Sequence, residues 1–153
     1  SSLSANAQIV VPSRRAWDGT RQQMTIPDQL DVIYSLSGGG SANLSVTTVS
    51  GTFAPASDIW IYGTEGTLHI QTAGLGNDPV VTGARKGDDG MSEITVPDDK
   101  RGGWRVEEEF INAIRGIEPV TRSNFTDSVK YMEFTDAIQK SWQTGNRVYL
   151  PSS

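Results

Sequence analysis

Three residues near the start of the chain combine charge with a flat apolar face: Arg14, Arg15 and Trp17. Two guanidinium groups can hold a carboxylate through paired N–H donors, and an indole can stack on a sugar ring. These three are therefore the candidate substrate-binding residues. The competing role is structural, because the same side chains can pin a loop to its neighbour through ion pairs and apolar contact. The sole histidine, His69, follows Gly66-Thr67-Leu68. A general base needs a partner and a cleft, and nothing nearby suggests a Ser-His-Asp arrangement. His69 is thus expected at a sheet surface or interface rather than as the base of a hydrolase. Asp88-Asp89 and Asp98-Asp99 carry the ligand chemistry for a hard cation such as calcium, but their spacing matches no ligand loop. Solvated loop carboxylates are the expectation there. Glu107-Glu108-Glu109 suits the first turn of a helix, where negative charge complements the helix dipole. Asn43-Leu44-Ser45 and Asn124-Phe125-Thr126 fit the glycosylation pattern, a three-residue match that arises often by chance. No residue is assigned to catalysis, to a cofactor or to a metal.

Composition narrows the classes further. The chain of 153 residues contains no cysteine, which rules out disulfide frameworks, cysteine zinc sites and cysteine nucleophiles. The net charge of −5 disfavours nucleic acid, since phosphate binding needs a clustered basic surface. The basic residues occur in scattered pairs: Arg14-Arg15, Arg85-Lys86 and Lys100-Arg101. No apolar run reaches the roughly 20 residues of a membrane helix. A cytoplasmic location without a signal peptide at Ser1 is expected. No Gly-x-Gly-x-x-Gly opens a helical pattern: Gly38-Gly39-Gly40 and Gly74-Leu75-Gly76 both lead elsewhere. A nucleotide-binding βαβ unit is therefore not expected in this stretch.

The elements that must position these residues follow from periodicity. A short strand is expected over Ala7 to Pro12, centred on Ile9, Val10 and Val11, and a polar loop over Ser13 to Gln23. Asp28 to Leu36 alternates, with Leu30, Val32, Tyr34 and Leu36 on one face, as a half-buried strand does. Gly38-Gly39-Gly40 supplies a turn into a second alternating run, Ala42, Leu44, Val46 and Thr48. Ser57 to Gln71 reads as another hairpin, turning at Gly63 to Thr67. Ala73 to Gly90 reads as a strand end plus loop, and Glu93 to Val96 as one more strand. The period then changes to that of a helix. Val106, Phe110 and Ile114 recur four apart between Trp104 and Arg115, with Gly116 and Pro119 ending the helix. A longer helix is expected from Thr126 to Thr144, capped by Ser123 or Thr126. It has Tyr131, Phe134, Ile138 and Trp142 on one face and Gly145 as its stop. Trp104 and Trp142 are expected in the core, which leaves Trp17 as the exposed indole. Arg147 to Leu150 closes the chain as a strand. Helices segregated from antiparallel strands make this an α+β domain.

Three stretches together carry a resemblance: Asp58 to Ile70, Val106 to Val120, and Asn124 to Ser141 with Thr144-Gly145 and Val148 to Pro151. In this order, with the hairpin at Asp31 to Ser50, the chain resembles the C-terminal domain of the glucose–fructose oxidoreductase / inositol dehydrogenase / rhizopine catabolism (Gfo/Idh/MocA) family over roughly residues 28 to 151. The resemblance implies one open, mainly antiparallel sheet with two helices packed on one face. It implies a parent NAD- or NADP-dependent dehydrogenase of a sugar or cyclitol, whose Rossmann domain, glycine loop and Glu-Lys-Pro lysine lie outside residues 1–153. In that setting the domain supplies one wall of the pocket for a small polar substrate. Its sheet face forms a homo-oligomer, most simply a dimer, and the domain is inactive alone. His69 does not fall where the family has its histidine. The alternative is a stand-alone carbohydrate-binding or protein-interaction module, with Trp17 as its stacking platform.

Overall fold

The computed structural model of the chain describes residues 1–74, 76–121 and 124–151. Leu75 of the Gly74-Leu75-Gly76 segment and Ser123, weighed above as a helix cap, lie outside them. The chain packs as two compact units, one built from Ser1–Ser50 with Arg105–Ser153 and the other from Gly51–Trp104. Both are α+β or β in content, and all strand pairings are antiparallel. Among the described residues the ladders divide between two four-stranded sheets and a two-stranded ribbon, in place of the single open sheet expected.

The first unit holds strands β1 (Ser2–Gln8), β2 (Ser13–Arg15), β3 (Arg21–Gln23), β4 (Gln29–Ser35) and β5 (Ser41–Thr47). The second holds β6 (Ser57–Gly63), β7 (Gly66–Thr72), β8 (Val80–Arg85) and β9 (Ser92–Glu93). Helices α1 (Val106–Ile114) and α2 (Phe125–Thr144) and strand β10 (Val148–Tyr149) complete the first unit.

Its sheet runs in the order β10-β1-β4-β5. Leu30, Val32 and Tyr34 of β4 pair with Val46, Leu44 and Ala42 of β5, so the alternation read from the sequence gives one apolar face. Gly39 and Gly40 turn this hairpin with φ of 91° and 88°, values that a side chain resists. Helix α2 covers the β1 end of that face. Leu3, Val32 and Ala137 are buried together, with Tyr34, Phe134, Ile138 and Val148 packed around them. Tyr34 and Phe134 meet edge to face, with centroids 5.4 Å apart. The small residues Ala137 and Ser141 let the helix approach closely, and Ser141 does more. Strand β10 pairs only with Ser2 and Leu3, so the next outward ladder group of β1, the Ala5 N–H, lacks a strand partner. That N–H donates to Ser141 Oγ at 2.9 Å, and the hydroxyl passes its own hydrogen to the Asn146 carbonyl at 2.7 Å. A half-buried amide is satisfied in this way without a strand beside it.

Several expectations change. The first strand is Ser2–Gln8, and Ile9 to Val11 leave the ladder because the Asp28 carboxylate accepts from the Val10 and Val11 N–H groups. Ser13 to Gln23 is a hairpin ribbon rather than a loop. A full strand, β8, crosses the segment assigned to a strand end and loop, and β9 shortens to Ser92–Glu93. Helix α2 is capped by Asn124, whose side-chain oxygen accepts from Asp127 N at 2.9 Å, while Thr126 lies inside the helix. Gly145, at φ 68°, ends it as expected. Trp104 lies ahead of α1 and is 81% exposed, and the Phe110 and Ile114 stripe of α1 also faces outward. The buried residue of α1 is instead Glu109, which accepts from Thr121 N and Oγ1.

Candidate functional site

The ribbon of β2 and β3 holds all three candidate residues. Its turn runs from Ala16 to Thr20: Ala16 N donates to Thr20 O at 2.8 Å, and Gly19 N donates to Ala16 O at 3.0 Å. Gly19 takes φ 85°, the left-handed position that follows the turn in a three-residue hairpin loop. Asp18 Oδ1 accepts from both Thr20 N and Thr20 Oγ1, and this holds its carboxyl below the usual range. Trp17 at the tip is 99% exposed.

Alternation then separates the two arginines. Arg14 pairs with Gln22, and Arg15 with Arg21, so they lie on opposite faces of the ribbon. Arg14 reaches Asp28 Oδ2 at 3.0 Å. Asp28 is buried and also accepts from Val10 N at 2.7 Å and Val11 N at 3.1 Å. Those bonds, the Val10 amide first and Arg14 and Val11 after it, hold its carboxyl below the usual range despite burial. Arg14 therefore anchors the ribbon to the sheet, the structural role weighed above. Arg15 and Arg21 stand side by side, exposed, with no carboxylate against them among the described residues. Arg21 escaped the sequence reading, although the Asp18-Gly19 turn signal between two arginines could have revealed it.

A second cluster lies in the other unit. His69 of β7 faces Trp60 of β6 in register, and their rings stack at 3.9 Å. Trp60 in turn stacks on Tyr62 at 6.0 Å, and His69 Nε2 sits 2.7 Å from Asp58 Oδ1. His69 is therefore a sheet-surface histidine with one carboxylate and one indole for partners. Three of the other carboxylates have local partners. Asp88 accepts from Arg85 N, Asp98 lies 3.4 Å from Arg101, and Glu108 lies 2.9 Å from Arg105. Arg105 also reaches Glu118 at 3.0 Å, and its bond to Glu108 raises the guanidinium pKa further while lowering that of Glu108. No three of His, Asp and Glu converge as a metal site would require, among the described residues. An open groove of about 430 Å³ beside β8 and β9 is lined by Val80, Val81, Ile94 and Val96 together with the charged Asp78, Glu93, Lys100 and Arg101. No helix among the described residues is long and apolar enough to cross a membrane.

No protein-family model and no curated protein sequence matches the chain. Solved structures do. Levoglucosan dehydrogenase in complex with NADH and L-sorbose superposes with a TM-score of 0.80 at 17% identity, covering 99% of this chain and 45% of that one. An NAD binding oxidoreductase from Klebsiella pneumoniae gives 0.77 at 17% identity, over 99% and 46%. The WlbA dehydrogenase from Bordetella pertussis, in complex with NADH and UDP-GlcNAcA, gives 0.67 at 17% identity, over 99% and 39%. The chain thus spans less than half the length of each of these proteins, and what it shares with that part of them is the fold.

Proposed function

We propose that this chain is the substrate-side domain of an NAD- or NADP-dependent oxidoreductase of the Gfo/Idh/MocA kind, acting on a sugar or cyclitol. The observation that carries the proposal is the likeness of nearly the whole chain to less than half of dehydrogenases that bind NADH together with a sugar. Two features support it. Helices α1 and α2 open on Arg105 and Asn124, neither of them at a glycine-rich phosphate loop. In this reading the nicotinamide is held by a separate Rossmann domain. The chain also leaves much apolar surface uncovered: Ile59, Ile61 and Leu68 in the second sheet, Phe110 and Ile114 on α1 and Ile117 just after it are all exposed. Exposed apolar patches of that kind mark interfaces. The sheet face then serves a homo-oligomer, and the α1 stripe a neighbouring domain. The ribbon forms part of the wall of the substrate pocket, with Arg15 and Trp17 toward substrate and Arg14 as its anchor. The chemistry itself, hydride transfer and proton abstraction, belongs to groups outside this chain.

Titration of the chain with NADH, followed by energy transfer from its tryptophans to the nicotinamide, tests the proposal. No saturable signal is expected at millimolar NADH, together with self-association in sedimentation velocity. Tight nicotinamide binding by the chain alone would overturn it. One observation favours a second reading, a stand-alone carbohydrate-binding module: Trp17 is bare to solvent at the ribbon tip. In that case a monomeric chain would bind neutral glycans and lose them on Trp17→Ala.

A further inference from the structure

Arg15 and Arg21 are directly opposed in the β2–β3 ladder, which sets their Cβ atoms about 5 Å apart on one face. Like charges in that position destabilise a hairpin. The chain offers them no carboxylate among the described residues, although it spends one on Arg14, the neighbour on the opposite face. Asp18, the nearest acid on the turn, has one oxygen committed to Thr20. The ribbon is also tied down at its base. Besides the Arg14–Asp28 pair, Met24 N donates to Pro12 O at 2.9 Å and Asp28 N to Gln8 O at 3.0 Å. Two guanidiniums set side by side by the ladder, with an indole two residues from Arg15 at the tip, suit an anion carried on a ring.

The geometry points to a sugar or cyclitol bearing an acidic group, a carboxylate or a phosphate, as the ligand of this ribbon. Its anion bridges Arg15 and Arg21 and its ring stacks on Trp17. The inference rests on the oxidoreductase reading only for the ligand being a sugar. The arginine pair stands on the ladder itself.

The test follows the Trp17 indole N–H by NMR while the chain is titrated with glucuronate, glucose 6-phosphate, glucose and inorganic phosphate. One or both acidic sugars should shift the resonance and bind about tenfold or more tightly than glucose or inorganic phosphate. A response to glucuronate alone identifies a carboxylate, and one to glucose 6-phosphate alone a phosphate. Arg15→Gln and Arg21→Gln should each weaken the acidic sugar about tenfold. Arg21→Glu should abolish binding while leaving Tm unchanged or raised, because it replaces a repulsive pair with an attractive one. Equal binding of glucose, equal binding of bare phosphate, no response to either acidic sugar, or binding retained in Arg21→Glu overturns the inference. None of these outcomes depends on NADH, so failure here and failure of the oxidoreductase reading are separable.

Discussion

The two four-stranded sheets of this chain are built from similar residues and end in opposite states. The β10-β1-β4-β5 sheet has polar Ser4, Asn6, Asp31 and Asn43 on one face and Leu3, Val32 and Leu44 on the other, and α2 covers much of the second. Leu3 and Val32 are each only 1% exposed. The β6-β7-β8-β9 sheet has Ile59, Ile61, Leu68 and Val81 on one face and Trp60, Tyr62 and His69 on the other. Of these, Ile59, Ile61, Leu68, Trp60 and Tyr62 all stay exposed. Local propensity makes strands in both cases, but only a covering layer makes a core. The first sheet has a helix over its apolar face, and the apolar face of the second keeps Ile59, Ile61 and Leu68 exposed.

Substitutions can break or sharpen that contrast. Leu3→Ala should cost the most, about 3 kcal/mol, because it empties the centre of the covered sheet. Urea unfolding would show it, and amide exchange in β7 should change less than in β4. Gly66→Ala attacks the other sheet. A Cβ there would collide with the Ala84 carbonyl oxygen, so β7 must shift off β8 at a cost of about 2 kcal/mol. Exchange in β7 and β8 should then accelerate while β1 and β4 keep their protection. Ser141→Ala should cost about 1–2 kcal/mol by stranding the Ala5 N–H, with that single amide losing protection most. The smallest effect concerns the ribbon anchor and is set by pH. The Asp28 carboxyl is lower in the folded chain than in the unfolded one, so its contribution is complete above the ordinary carboxylate value near 3.8 and is lost as pH falls through the lower folded value. Protection of the Val10 and Val11 amides should fade in that acid range, and Asp28→Asn should remove this pH dependence.

Much of the fold was legible because its signals are local. Period-2 alternation located the β4–β5 face, and Gly39, Gly40 and Gly145 sit at positive φ where turn and stop were expected. The errors share a cause, a partner remote in sequence. Ile9 to Val11 looked like a strand but are drawn out of the ladder by Asp28, 17 and 18 residues on. Gly66 falls in the expected turn, yet its φ is not positive, and what excludes a side chain there is the backbone of β8. The Val106-Phe110-Ile114 period correctly announced a helix, yet periodicity reports only that an apolar face exists, and here that face is exposed. In the candidate site, Arg14, Arg15 and Trp17 were visible as residue types. The assignment of Arg14 to Asp28 and the meeting of Arg15 with Arg21 required the register.

Strand β6 lies at the rim of its sheet, with one row of backbone N–H and C=O groups turned away from β7. Between Asp58 and Glu65 it carries neither charge nor proline, and Ile59-Trp60-Ile61-Tyr62 fill the interval. Such a rim is a template on which a second extended chain can crystallise, one strand upon the next. A purified sample in which β6 stays uncovered should therefore thicken into fibres from this strand outward.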